Sequence, residues 1–91
     1  MKSWLASKEV WVLADLESEN KYTPPVLHFI RYSGGDDFAM FSHVPTPDVL
    51  EAMHFDTYVQ ATKYMDANKN GMPTDKVWPR RVTITATIEL L

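Results

Sequence analysis

The sequence predicts an α+β domain: a four-stranded, largely antiparallel sheet with one main helix on one face, in the order β-β-β-(short α)-α-β. Three observations carry that reading. Val82, Ile84, Ala86, Ile88 and Leu90 alternate with Thr83, Thr85, Thr87 and Glu89, the pattern of a strand with one buried and one wet face. Thr57 stands three residues before Gln60, the spacing of a capping box, and Tyr58, Ala61, Thr62 and Met65 follow at helical intervals. Two runs rich in β-branched and aromatic residues, 9–16 and 26–32, precede that helix. At 91 residues the chain reads as a single domain, 1–91.

The elements follow in order. Residues 9–16 (EVWVLADL) form the first strand, and the polar stretch 17–23 forms a loop. Pro24 and Pro25 block a helix and favour an extended entry into the second strand, 26–32. Gly34 and Gly35 can take the positive φ angles of a hairpin connection, which returns the chain as a third strand over 37–42. Thr46, Pro47 and Asp48 then supply an N-cap, a first-turn proline and an acid, the order of a short helix running to about Met53. The main helix runs from Tyr58 to about Lys69 and exits through Asn68, Asn70 and Gly71, with Pro73 beyond. The last strand occupies 81–90. A right-handed return from the helix places it beside the first strand, in the order 4-1-2-3.

Composition excludes several classes of function. With 45% hydrophobic and 23% charged residues the chain is ordinary globular material. Nine Lys and Arg against twelve Asp and Glu give a formal net charge of −3, too weak a field for general attraction to nucleic acid or anionic lipid. Without cysteine there is no disulfide, thiolate zinc site, iron–sulfur cluster or cysteine nucleophile. Trp4, Leu5 and Ala6 are interrupted by Ser7, Lys8 and Glu9, too soon for a secretory signal, and no run approaches the roughly 20 apolar residues that cross a bilayer. A cytoplasmic protein with no membrane partner is expected.

The most informative feature is an excess of apolar sheet. The first strand carries Val10, Val12, Ala14 and Leu16 on one face and Trp11 and Leu13 on the other, and the second strand likewise opposes Val26, Ile30 and Tyr32 to Leu27 and Phe29. A helix of about twelve residues, roughly 18 Å long, covers only one side. The other side is closed either by the chain's own Trp4–Leu5 segment with the short helix, or by another protein. That protein is a different partner or a second copy in a homodimer. Trp11, Leu13, Leu27 and Phe29 are the expected interface residues, because aromatic anchors carry most interface energy.

Other candidate sites are weaker. Residues 66–71 (DANKNG) match the first half of a calcium loop, but Pro73 interrupts the second half and Val77 holds the position of its bidentate carboxylate. The stretch reads as a capped helix exit. Lys76, Trp78, Arg80 and Arg81 mix cations with an indole, a combination suited to single-stranded nucleic acid, to be weighed against a solvated loop. His28, His43 and His54 lack ligand spacing, Asp36 and Asp37 read as turn formers, and Ser33, Gly34 and Gly35 lack the context of a phosphate loop. Thr83, Thr85 and Thr87 read as the wet side of a strand or as a surface for strand addition. No nucleophile–base pair or metal set stands out, so no catalytic residue, metal or cofactor is assigned and a non-enzymatic role is expected.

Over residues 50–65 and the loop and strand that follow, the chain resembles small phage and prophage accessory proteins, in which an A-x-x-F segment runs into a Ser- or Thr-capped helix with an alanine four residues on. Ala52, Phe55, Thr57 and Ala61 carry the likeness. It implies an accessory or regulatory protein of a mobile element, working in the host cytoplasm, and it transfers no catalytic residue.

Overall fold

Two fourteen-residue strands frame the molecule. β1 (Lys2–Asp15) and β4 (Val77–Leu90) pair antiparallel along their whole length, from Lys2 opposite Leu90 to Asp15 opposite Val77. At about 3.4 Å per residue such a ribbon runs to roughly 48 Å, and it sets the longest dimension of the molecule, 48 Å. The structure is a computed structural model that describes residues 2–21, 23–33 and 42–90, with side chains described between Ala6 and Ala86.

Beside β1 lie β2 (His28–Tyr32) and then β3 (His43–Thr46), both antiparallel, so the sheet order is β3-β2-β1-β4. This is the expected 4-1-2-3 arrangement viewed from the other edge. One main helix, α1 (Tyr58–Ala67), completes an α+β fold. No helix among the described residues is long and apolar enough to cross a membrane.

The helix starts as its capping residues dictate. Gln60 N–H donates to Thr57 Oγ1 at 3.1 Å, and Gln60 Oε1 accepts from the N–H of Asp56 at 3.0 Å, a reciprocal cap closed one residue early. Its exit is equally local: the backbone and side chain of Asn68 both donate to the Tyr64 carbonyl, and a 3-10 turn over Lys69–Gly71 follows.

Four expectations change. β1 begins at Lys2 rather than near Glu9, so Trp4 and Leu5 do not fold back over the sheet; they pair in register with Ile88 and Thr87. β4 begins at Val77, running through Pro79, which an edge strand tolerates because its outer side needs no amide donor. The short helix expected from Asp48 is a turn, closed by Glu51 N–H on the Asp48 carbonyl at 3.0 Å. Side chains win there: Asp48 Oδ1 accepts from Leu50 N–H, while Thr46 Oγ1 accepts from Asp48 N–H and donates to Glu51, which satisfies the segment without helical bonds. The strand that pairs with β2 lies at His43–Thr46. The Gly34–Gly35 connection and the return strand expected over 37–42 fall outside the described residues, apart from Ser42.

Both faces of the sheet are apolar. On one, Leu13, Ile30, Ala61, Met72 and Val77 are buried and joined by Trp11, Met53, Phe55, Tyr64 and Met65. Ala61 is fully buried, a small residue that lets α1 approach the sheet closely. On the other, Val10, Val12 and Ala52 are buried with Phe29, Val49, Val82 and Ile84 packed around them. The chain passes between faces through a notch. β2 pairs with only Ala14 and Asp15 of β1, and in the space left free Trp11 and Phe55 exchange backbone hydrogen bonds of 2.8 Å. Ala52 thus lies on one face and Phe55 on the other.

Candidate functional site

Strand register decides which surface is open to a partner. Ala14 opposite Phe29 puts Phe29 on the face of Val10 and Val12, while Leu13 and Trp11 share the opposite face with Ile30. The helix covers that opposite face. Leu13 is 0% exposed, sealed by its own chain, and is therefore no interface residue. Trp11 is half-buried with its ring edge-on to Tyr58 at 5.2 Å, and it belongs to the helix side as well. Leu27 and Phe29 are half-buried, with Phe29 packed into the second core. The four residues grouped from the sequence therefore do not form one patch. The grouping failed because the offset between neighbouring strands is not written in either strand alone.

The second face is sealed at its centre, where Val12 and Ala14 are 0% exposed, and apolar side chains reach solvent only at its margins. Its described cover is the turn bearing Val49 and Ala52. At its border Leu50 is 65% exposed and Trp78, in register with Ala14, is 50% exposed. Along the outer ribbon Val82 and Ile84 are half-buried on this same side, among exposed Ala6, Lys8, Arg80 and Ala86, while Ser7, Glu9, Thr83 and Thr85 give the reverse side a polar surface.

Trp78 also lines a cleft of about 380 Å³ between the end of α1 and the start of β4. Met65, Met72 and Val77 form its apolar lining, and Asp66, Lys69 and Asp75 contribute charge. Two motifs read separately in the sequence, the helix exit and the basic stretch before the last strand, thus meet at one indole. Strand alternation divides the basic stretch: Trp78 and Arg80 share a face, and Arg81, opposite Trp11, lies on the other. Lys76, Arg80 and Arg81 are all exposed. Within the calcium-like segment, the Asn68 side chain is engaged as a cap on Tyr64. Among the described residues no group of three or more His, Asp or Glu side chains is placed to hold a metal ion.

One polar cluster was not foreseen. His43 is buried at the start of β3, with Nδ1 2.8 Å from Ser42 Oγ and Nε2 2.7 Å from the Tyr64 hydroxyl. Tyr32 and Tyr64 both stand edge-on to its ring. Burial lowers the His43 pKa below 6.5, and hydrogen bonding to the Gly71 backbone opposes this. Burial, with Tyr32 nearby, raises that of Tyr64. Gly71 is needed for the approach, because a Cβ there would fall on Ser42 Oγ. The cluster ties β3, α1 and the turn after α1 together. Nothing in the sequence announces a pair of partners 21 residues apart.

The class defined so far is an α+β protein with a helix-covered sheet face and a second apolar face bordered by exposed Leu50 and Trp78. No family model, curated protein or solved structure matches the chain.

Proposed function

We propose that this is a non-enzymatic protein-interaction module, docking on a second copy or on another protein through the sheet face opposite the helix or through an edge strand. One observation carries the reading. Phe29, Val82 and Ile84 are half-buried around the sealed Val10, Val12 and Ala52, and Leu50 and Trp78 stand exposed at the margin of this face. Apolar patches of this kind are characteristic of binding surfaces, and a large exposed indole is a typical anchor. The likeness to phage and prophage accessory proteins suggests a mobile-element role in a host cytoplasm.

The test is a variant carrying Leu50→Glu and Trp78→Glu, both at exposed positions. Self-association in sedimentation, or retention of a partner on the immobilised protein, should weaken by about tenfold or more, with an unchanged far-UV circular dichroism spectrum. Association that survives both charges removes the sheet face as the docking surface.

A second reading, single-stranded nucleic-acid binding, is favoured by Trp78 and Arg80 sharing a face near Lys76. It requires oligonucleotide binding that quenches tryptophan fluorescence and weakens steeply with salt. Asp66 and Asp75 line the cleft at Trp78 with Lys69 as its one lining cation, a net negative charge that opposes a phosphate there and favours protein docking.

A further inference from the structure

We propose that the free edge of β4 is a self-pairing surface on which a second copy of this chain lays its own β4, antiparallel, about a two-fold axis at Thr85. This names a partner for the interaction module proposed above and rests on that reading. β4 ends the sheet order and is paired on its β1 side through all fourteen residues, so its outer edge presents backbone donors and acceptors with no partner strand among the described residues. Edges of this kind recruit another strand unless proline, charge or a bulge blunts them. Here Pro79, Arg80 and Arg81 blunt only the first part. From Val82 to Ile88 the strand has no proline, glycine or charge and six β-branched residues among seven.

The sequence of this edge is complementary to itself. An interface between identical copies related by a two-fold axis must match residue i with j and j with i. Odd positions along β4 read Arg81, Thr83, Thr85, Thr87 and Glu89. Turned end for end about Thr85, that row sets Arg81 against Glu89 at both ends, Thr83 against Thr87 on either side of the axis, and Thr85 against itself. Even positions read Val82, Ile84, Ala86 and Ile88. They meet as Val82 with Ile88 and Ile84 with Ala86, each larger residue in the central pairs facing a smaller one.

Opposite charges, threonine pairs and β-branched pairs are the favourable cross-strand combinations, and no like charges are opposed. A shift of the pairing by one residue would set apolar positions against polar ones, so the alternation itself restricts the register. The apolar face of each copy continues across the join, and two four-stranded sheets become one of eight.

Charge reversal at the ends of the row tests this, since each reversal acts twice across the axis. Arg81→Glu and Glu89→Arg should each weaken dimerisation by about tenfold in sedimentation equilibrium, and the double variant should restore it to within about twofold of the starting protein. The chain lacks cysteine, so single cysteines report position without background. Under mild oxidation Thr85→Cys should give a covalent dimer and Ala86→Cys should not, because only the former lies opposite its own copy. A chain that remains monomeric at about 1 mM, where even weak specific pairing registers, overturns the proposal. So do single reversals without effect, a double variant that stays weak, or cross-linking through Ala86→Cys alone. A monomer that still loses a different partner through Leu50→Glu and Trp78→Glu would overturn self-pairing and leave the docking face standing.

Discussion

Replacing Leu13 with alanine should lower unfolding free energy by about 3 kcal/mol, as expected for truncating a large side chain in a closed core. Leu13 is fully buried where β1 meets both the helix and Ile30 of β2, so few neighbours are free to collapse into the space left behind. Urea titration followed by circular dichroism gives the value from the midpoint and slope. A loss below about 1 kcal/mol would mean that the helix does not close over this side of the sheet. Chains that bind nothing are as suitable for this measurement as chains that dimerise, provided the titration is run at one fixed protein concentration.

His43→Ala should cost about 2–4 kcal/mol, because it opens a cavity and strands the Tyr64 hydroxyl in a buried site. It should also change the response to acid. The folded protein holds the His43 pKa below 6.5, so the unfolded chain takes the proton first as pH falls. The contribution of this residue to stability is therefore complete above pH 6.5 and is lost progressively as the pH drops toward the folded-state value. Each pKa unit between the two states corresponds to about 1.4 kcal/mol. Denaturant titrations at a series of pH values, run in parallel on His43→Ala, isolate the effect: the stability difference between the two proteins should shrink on acidification. A difference independent of pH would show that the imidazole titrates as freely as in the unfolded chain.

What could be read from the sequence was local. The cap of α1 needs only Thr57, Gln60 and their own backbone, and the alternation over 82–90 needs only period two, so both elements were visible. The turn at 48–51 was misread as a helix because Thr46 and Asp48 serve equally well as helix caps and as turn formers, and the choice fell to hydrogen bonds with Leu50 and Glu51. The early part of β1 has no clean alternation of its own; it is a strand because β4 lies beside it. The two-sided sheet was visible in the apolar residues of 10–14 and 26–30. Which side the helix takes was not, since it rests on Ala14 standing opposite Phe29, a relation between distant segments. His43 and Tyr64 were hidden for the same reason.

The frame of this protein joins two strands that lie far apart along the chain. β1 spends most of its length against β4, more than sixty residues further along at the nearest pair. During translation β1 therefore emerges well before its main neighbour and must be kept apart from other exposed chains until β4 has been made. Closing so long an excursion favours slow, late assembly over stepwise growth from one end, and makes the interval before completion the time of greatest vulnerability to clumping.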